Sequence, residues 1–228
     1  MIDILFVDEF ILVINKPAGL ISIADGYDPK IPYIRSILEP QFGRLWVIHR
    51  LDKETSGVMV LARSAPAHQN LNDQFANRII QKSYIALVYG EFPPKLSCTF
   101  PLRVNGDRRH RTVIDEENGK PAITDFTLLD VFPNRCSQIT ALPHTGYTHQ
   151  IRAHLLRLGY PILGDSLYCS KESKEFSLGL PIKRCALHAQ SLTFNHPVDN
   201  RSISFSADPP VDFTEAINHL NKKRLPKK

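Results

Sequence analysis

Residues 49–57 read HRLDKETSG and separate two apolar runs, LWVI at 45–48 and VMVL at 58–61. The polar stretch therefore predicts a short loop between two segments that favour burial. Asp52 lies in the middle of this loop. A carboxylate in this setting either forms a turn or takes part in chemistry. For the loop alone the turn is the favoured interpretation, because Asp, Ser and Thr side chains hydrogen-bond to nearby backbone in turns.

Residues 145–155, TGYTHQIRAHL, carry further polar side chains on a predicted helix. Gly146 ends the preceding strand pattern, and Thr148 is predicted to be the N-cap of the helix. The buried face of the helix is marked by apolar residues at i, i+4 and i+7, namely Ile151, Leu155 and Leu158. His149 and Arg152, at i and i+3, then share a face beside these residues.

Arg152 has two interpretations. At the edge of a core its guanidinium would pair strongly with a carboxylate, because it offers a fixed fork of donors. The alternative is a solvated charge on the helix surface, which is favoured for a single arginine considered alone.

Residues 82–90, KSYIALVYG, predict a strand that is buried on both faces, because apolar side chains occupy both alternating sets. Tyr84 is either a core aromatic or a platform on which a nucleobase stacks. The core interpretation is the default for the strand alone.

The chain resembles the RluA-like family of pseudouridine synthases through four segments in the same order as in that family. They are INKPAGL at 14–20, HRLDKETSG at 49–57, Y-x-A-x-V-x-G at 84–90 and TG-x-THQIR-x-H at 145–154. Two further segments, YPILGD at 160–165 and LHA at 187–189, extend the resemblance over almost the whole chain. Tyr147 stands where family members usually have arginine. This departure concerns one phosphate or base contact and not the chemistry.

The resemblance implies that Asp52 is the catalytic carboxylate, that Arg152 pairs with it, and that Tyr84 lies against the target uracil. It also implies RNA contacts from the two polar motifs, at His49, Arg50, Thr55, Ser56, Thr148, His149 and Gln150. The implied reaction breaks the N1–C1′ bond of uridine, rotates the uracil and joins C5 to C1′. An ionised aspartate can attack as a nucleophile or stabilise positive charge at C1′. Because the reaction is an isomerisation, no metal and no cofactor are expected.

The segment at 14–20 begins so close to Met1 that the resemblance predicts the short form of the family, a catalytic domain without the small N-terminal S4 RNA-binding domain. We expect a single catalytic domain over residues 1–219 and a basic tail over residues 220–228. The runs of strands predict an α+β fold with a largely antiparallel mixed sheet flanked by helices, and the resemblance adds a central RNA-binding cleft.

The predicted elements come from the apolar periodicity and from turn residues. Strands are expected at 4–7, 11–15, 58–62, 84–89, 122–130, 137–141, 191–194 and 202–205. Helices are expected at 33–38, 65–77, 148–158 and 211–220.

The formal net charge of +5 is concentrated at the end of the chain. The tail holds five basic residues and no acid, and the rest of the chain has 23 of each sign. A basic face on the body must therefore come from segregation of charge. The candidate lies around an NGD turn and consists of Arg103, Arg108, Arg109, His110 and Arg111. A polar hairpin tip on the surface is an equal alternative.

Other classes of site find little support in the sequence. The four cysteines show no C-x-x-C spacing, which indicates buried thiols in a reducing compartment rather than a zinc ribbon or a redox motif. Histidines at 144, 149 and 154 are spaced by five, so a zinc site on a helix is not expected. Acidic residues interrupt the N-terminal apolar run, so neither a signal peptide nor a membrane span is predicted. We expect a cytoplasmic monomer whose partner is RNA, either rRNA or tRNA.

Two other functions stay open at this point. A catalytically silent RNA-binding module would use the same basic and aromatic surface without needing Asp52 and Arg152 together. A hydrolase that cleaves a glycosidic bond would need a second acid from Glu54 or Asp165. Asp52 and Glu54 on one short loop are a poor pair for that purpose, because neither is obviously buried enough to hold a proton at neutral pH.

Overall fold

The computed structural model describes residues 2–133 and 135–222. The fold class is α+β with mostly antiparallel strands, as the sequence predicts. The described chain forms two compact units. The first unit comprises residues up to 82 with 189–208, and the second comprises 83–188 with 209 onward. Each unit has its own hydrophobic core.

The strands and helices follow one another along the chain. They are β1 (Asp3–Val7), β2 (Ile11–Lys16), α1 (Ile34–Phe42), β3 (Trp46–Val47), β4 (Ser56–Ala62), α2 (Ala65–Ala76), β5 (Gln81–Tyr89), β6 (Lys95–Cys98), β7 (Leu102–Arg103), β8 (Val113–Ile114), β9 (Thr124–Phe132), β10 (Cys136–Pro143), α3 (Gln150–Arg157), α4 (Lys171–Leu178), β11 (Leu187–Asn195), β12 (Ser202–Ser206) and α5 (Val211–Lys222).

In the first unit, β1, β2, β4 and β11 lie side by side, with β3 on β4 and β12 on β11. β2 and β4 run antiparallel, from Ile11 opposite Ala62 to Lys16 opposite Gly57. Every residue of β4 is buried, which is the outcome that its continuous apolar run predicts. The loop at 49–57 leads directly into this buried strand, so one of its ends is fixed by the core.

α2 begins where the sequence provides a capping residue. The Ser64 hydroxyl accepts a hydrogen bond from the backbone N–H of Ala67 at 3.3 Å, and Pro66 occupies the first turn, where no N–H is needed. Ala67 and Leu71 then pack into the core of the first unit. The helix thereby supports the strands that frame the loop at 49–57.

In the second unit, β5, β10, β9 and β6 form an antiparallel array in that order, and β7 pairs with β8 in a separate hairpin. Its core joins strand and helix residues, including Leu87, Phe126, Ile139, Leu155 and Phe213. Burial of each such side chain contributes roughly 1.5 to 3 kcal/mol relative to exposure. This core holds β5 and α3, which carry Tyr84 and Arg152.

All the predicted strands and helices are present, with ends that differ by up to four residues. The sequence pattern does not predict α4, because KESKEFSL has no apolar stripe and buries only Ser173. A cap sets its start instead: the Ser170 hydroxyl accepts from the Ser173 N–H at 3.1 Å. Four strands of two to four residues, β3, β6, β7 and β8, are too short to give a recognisable alternation.

Most of the predicted basic tail, residues 223–228, lies outside the described residues. Its first residues belong to α5, which extends to Lys222. Leu220 is fully buried with Phe213 and Ala216, so the helical stripe continues past the predicted start of the tail.

Candidate active site

The loop that carries Asp52 is bonded to the segment after β2. The carbonyl of Lys53 accepts from the Gly19 N–H at 2.8 Å and from the Lys16 ammonium at 3.3 Å. The same ammonium also donates to the carbonyls of Pro17 and Leu20, at 2.9 and 2.8 Å. Lys16 is fully buried, and these carbonyls offset the cost of removing its charge from water. The INKPAGL motif therefore fixes the residue next to Asp52.

A second set of bonds holds the loop on the other side of Asp52. The Ser22 hydroxyl donates to the Leu51 carbonyl at 2.7 Å and accepts from the Leu51 N–H at 3.1 Å. The Thr55 N–H donates to the Asp52 carbonyl at 3.1 Å, which closes a turn. The backbone of Asp52 is thus fixed on both sides, while its side chain stays partly exposed.

Gly57 brings the loop close to a neighbouring strand. Its φ is 120°, and a Cβ at this position would lie 2.1 Å from the carbonyl oxygen of Ala189 on β11. Only glycine tolerates both the positive φ and the close approach of the Ala189 carbonyl. Thr55 and Ser56, just before it, are almost fully buried. They support the loop from inside the first unit, and the RNA contact predicted for them stays a prediction.

His49 lies against the core of the first unit. Its ring stacks on Phe75 with centroids 4.8 Å apart, and Nε2 accepts from the Val60 N–H at 3.1 Å. Burial and the nearby charge of Lys82 lower the pKa of His49 to about 3. The imidazole is therefore neutral, and Nε2 must be unprotonated to accept this bond. Arg50, the next residue, is exposed.

Tyr84 lies on β5, opposite Ala141 of β10. Its side chain packs against the core of the second unit and remains partly exposed. The core interpretation agrees with this packing, and the stacking of a base on Tyr84 stays a prediction.

The start of α3 differs from the prediction. The helix begins at Gln150, and its N-cap is His149, which has a φ of 58° and makes no side-chain cap bond. Thr148 is therefore not the N-cap. Its carbonyl accepts from the Thr112 hydroxyl at 2.6 Å, in a turn that precedes the helix. The N-cap therefore lies one residue later than predicted.

The Gln150 side chain bonds the start of the helix to the preceding turn and to the segment at 123–124. Its Oε1 accepts from the Thr145 hydroxyl at 2.8 Å and from the Tyr147 N–H at 3.2 Å. Its Nε2 donates to the Ile123 carbonyl and to the Thr124 hydroxyl, both at 3.0 Å. Gln150 is buried, so these contacts show a supporting role, and the predicted RNA contact stays a prediction.

Arg152 is 5% exposed, so the interpretation as a solvated helix charge is wrong. As predicted for an arginine at the edge of a core, it pairs with a carboxylate in a bidentate manner. That carboxylate is Asp165, which accepts from Nε at 2.6 Å and from Nη2 at 2.8 Å. The further pairing with Asp52 that the resemblance implies stays a prediction.

Asp165 is ionised in this arrangement. Burial alone would raise its pKa, but the hydrogen bonds and charge of Arg152, with the N–H groups of Tyr168 and Leu167, outweigh burial and lower the pKa. A carboxylate in this state cannot serve as a proton donor at neutral pH. The hydrolase alternative therefore loses Asp165 as a candidate for its second acid, which leaves Glu54.

Tyr168 connects the residues at the start of α3. The guanidinium carbon of Arg152 lies 4.9 Å from the centroid of its ring, and Nδ1 of His149 lies 3.1 Å from its hydroxyl. His149 and Arg152 thus face one side, as their spacing predicts. The sequence pattern did not identify Tyr168 or the partner role of Asp165. The GD-x-x-Y spacing at 164–168 could have identified them as neighbours, because it places both residues in one tight turn.

Tyr147, which replaces the arginine usual in the family, packs into a small apolar cluster. The ring lies against a group that contains Leu102, Ala153 and Tyr168. The position therefore contributes packing near α3 in this chain, where an arginine would contribute charge.

The candidate basic group is only partly available for RNA. Arg103 pairs with Asp115 at 2.8 Å, and Arg111 pairs with Asp107 at 2.7 Å. The remaining members, Arg108, Arg109 and His110, are exposed at the tip of the β7–β8 hairpin. The hairpin predicted from the NGD turn is present, and its tip carries the exposed basic residues.

Among the described residues there is no group of three or more His, Cys, Asp or Glu side chains that could hold a metal ion. Within residues 2–133 and 135–222, no helix is long and apolar enough to cross a bilayer.

Residues 10–157 match the family model described as RNA pseudouridylate synthase. The match covers the loop of Asp52, the strand of Tyr84 and the helix of Arg152. The chain belongs to this family, which is a family of isomerases, and it is an RNA pseudouridine synthase.

Within the family the chain is similar to proteins named dual-specificity RNA pseudouridine synthase RluA. It is 37% identical to the Pasteurella multocida protein over 209 residues, which are 91% of this chain and 93% of that protein. It is 35% identical to the Escherichia coli K12 protein over 211 residues, which are 92% and 93% of the two chains. The RluA-like resemblance is confirmed.

Two solved human structures share the fold. The RNA pseudouridylate synthase domain containing 1 protein matches with a TM-score of 0.77 and 26% identity, over 92% of this chain and 84% of that chain. The domain containing 4 protein matches with a TM-score of 0.75 and 26% identity, over 96% and 92%.

Proposed function

We propose that this chain converts uridine to pseudouridine in both rRNA and tRNA, with Asp52 as the catalytic carboxylate, Arg152 as its partner and Tyr84 against the target uracil. The observation that carries the assignment of Asp52 is the loop at 49–57. Its backbone is bonded on both sides of Asp52, while the carboxylate itself stays partly exposed. A catalytic group needs this combination, because it must be positioned in advance and still reach the substrate.

The chemistry needs a carboxylate and no further reagent. The N1–C1′ bond breaks, the uracil turns, and C5 bonds to C1′. C5 then loses its proton and N1 gains one, so the atoms of substrate and product are the same. Asp52 either attacks or stabilises the positive charge that develops at C1′.

The proposed partner, Arg152, is suited to balance the negative charge of this carboxylate when RNA excludes water. Its guanidinium is buried, is always charged, and has its Nε edge bonded to Asp165. Tyr84 is suited to receive the uracil, because its ring is anchored in the core of the second unit and remains partly exposed.

The choice of substrate follows from the relatives, whose name includes dual specificity for RNA. We propose uridines in loops or bulges, because the base must leave its stack to present C1′ and C5. The exposed tip of the β7–β8 hairpin would contact phosphates. We also propose that the protein acts as a cytoplasmic monomer, which light scattering and fractionation of cells would test.

The test is pseudouridine mapping of total RNA from cells with and without the gene, followed by assays of purified protein on the affected RNA. Wild-type protein should form pseudouridine at the sites lost in the deletion strain. Asp52→Asn should reduce the single-turnover rate by at least about 1,000-fold, while its melting temperature stays close to wild type.

Glu54→Gln is the matched control, because it removes the other carboxylate of the same loop. It should keep most of the activity. An active Asp52→Asn variant would contradict the assignment of Asp52. A large fall in its melting temperature would instead make Asp52 a turn-forming residue. Binding of RNA by wild-type protein without any pseudouridine formation would support the silent RNA-binding module.

A further inference from the structure

One buried carboxylate in the second unit gathers an unusual number of donors. Asp165 is 3% exposed. Its Oδ2 accepts from Nε of Arg152 at 2.6 Å, and the Cys185 thiol lies 3.6 Å away. Its Oδ1 accepts from Nη2 of Arg152 at 2.8 Å and from the N–H groups of Leu167 and Tyr168 at 2.8 and 3.0 Å. The carboxylate is therefore fixed by its own turn before it meets the arginine.

Tyr168 fixes the same arginine from another direction. The guanidinium carbon of Arg152 lies 4.9 Å from the ring centroid, within the range of a cation–π contact. The ring cannot turn away, because its hydroxyl accepts from the Thr112 N–H at 2.7 Å and lies 3.1 Å from Nδ1 of His149. Asp165 thus holds one edge of the guanidinium while Tyr168 covers its face.

A second arginine–aspartate pair in the same unit shows the contrast. Arg184 donates to Asp212 from Nε at 2.7 Å and from Nη2 at 2.9 Å, so the bidentate geometry is the same. The Asp212 side chain is 38% exposed, whereas that of Asp165 is fully buried. Arg184 also donates to the Cys185 carbonyl at 3.1 Å, in the segment just before β11. The Arg184–Asp212 pair joins the segment before β11 to α5.

We propose that Asp165 and Tyr168 are positioning residues for the pseudouridylation reaction. They set the plane and direction of the Arg152 guanidinium, the group that the proposed function assigns as partner of the catalytic carboxylate. This inference rests on the proposed function, in which Arg152 pairs with Asp52. Positioning at this level matters, because a displacement of about 1 Å in a catalytic group costs on the order of 100-fold in rate.

The first experiment compares Asp165→Asn with Asp212→Asn, each of which removes one charge from a bidentate pair in the full-length protein. Asp165→Asn should lower the single-turnover rate at saturating RNA by about 10- to 100-fold and leave the Kd for RNA within about twofold. Asp212→Asn should keep the rate of wild type at temperatures below its melting transition. Equal rates for Asp165→Asn and wild type would overturn the proposal.

A double-mutant cycle separates positioning from general loss of structure. If Asp165 acts through Arg152, Asp165→Asn should lower the rate of an Arg152→Lys variant by no more than about threefold, because the fork it positions is already absent. Losses that multiply in the double variant would show that Asp165 acts on the fold alone, and the proposal would fail.

Asp165→Asn removes a buried carboxylate that balances the charge of Arg152, so a second variant keeps the proposal testable if this one does not fold. Tyr168→Leu removes the ring and keeps the ion pair. It should lower the single-turnover rate by about tenfold with unchanged affinity for RNA. A rate equal to wild type in this variant would contradict the proposal. Wild-type protein that forms no pseudouridine in any RNA would instead contradict the proposed function on which it rests.

Discussion

Tyr84 packs against the core of the second unit, and we propose that the same ring receives the base of the substrate. Its ring packs against buried residues of the second unit and is still partly exposed. Stacking of a base on such a ring contributes about 1 to 3 kcal/mol. In the proposed role the ring makes this contribution, and the hydroxyl does not.

Substitution of Tyr84 therefore tests the ring and the hydroxyl separately. Tyr84→Phe should keep the Kd for RNA within about twofold of wild type, whereas Tyr84→Ala should weaken binding by roughly 5- to 150-fold. Fluorescence anisotropy with a labelled stem-loop measures both, after melting curves show that the variants are folded. Equal losses in the two variants would assign binding to the hydroxyl.

His49 makes stability depend on pH. Its pKa is lowered to about 3 in the folded protein, chiefly by burial, while an unfolded histidine titrates near its ordinary value of 6.5. Between these values the unfolded chain binds more protons than the folded chain, so stability rises with pH. The contribution of the neutral ring is present above pH 6.5 and is lost as the pH falls towards about 3.

The measurement compares urea unfolding of wild type and His49→Gln, whose amide oxygen can still accept from the Val60 N–H. Wild type should lose roughly 1 to 2 kcal/mol more than the variant as the pH falls from about 6.5 to about 4.5. Carboxylates with lowered pKa values, such as Asp165, reduce the stability of both proteins equally as the pH falls. The difference between the two proteins therefore reports on His49 alone. Parallel pH profiles would show that His49 is charged in the folded protein.

At the level of elements, the contact between β4 and β11 depends on Gly57. The positive φ and the Ala189 carbonyl exclude a side chain independently. Gly57→Ala should destabilise the protein by roughly 2 to 4 kcal/mol, from backbone strain and overpacking together.

Gly159→Ala is the matched control, because Gly159 also has a positive φ, 85°, and no atom lies within 4 Å of an added Cβ. It should cost only the strain, about 1 to 2 kcal/mol. Chemical denaturation of the two variants gives the steric contribution by difference. Equal losses would mean that β11 moves to accommodate the methyl group.

The elements also show how far the sequence can predict this site. The apolar runs of β2 and β4 identify buried strands because burial on both faces leaves a continuous pattern. The start of α3 escapes prediction for two reasons. Its N-cap, His149, makes no side-chain cap bond, and the Gln150 side chain holds this end of the helix through residues far away in sequence. The Arg152–Asp165 pair could be anticipated only as an arginine in need of a carboxylate. Which carboxylate it meets depends on tertiary structure.

For the whole molecule, the distribution of charge predicts how binding depends on salt. Arg103 and Arg111 are paired with carboxylates, whereas Arg108 and Arg109 are exposed at the hairpin tip. Replacing both tip residues with alanine should reduce the magnitude of the log-affinity against log-salt slope by about 0.7 to 0.9 for each phosphate that is no longer neutralised. Arg103→Ala is the control, and it should change the slope less. Equal changes in slope would mean that the ion pair with Asp115 opens when RNA binds.

The basic end of the chain should act through the same electrostatic term. Residues 223–228 contain four basic residues and no acid, and every proposed catalytic residue lies before them. A chain that ends at Lys222 keeps the whole of α5, including the buried Leu220, so its fold should persist. It should bind RNA more weakly at low salt. The slope of log-affinity against log-salt should be smaller in magnitude by up to about 0.7 to 0.9 for each phosphate that the missing residues would neutralise.

Because binding to phosphates carries no sequence information, the truncated chain should modify the same uridines at the same saturated rate. A change of target site, or a lower single-turnover rate at saturating RNA, would place the end of the chain in the active site.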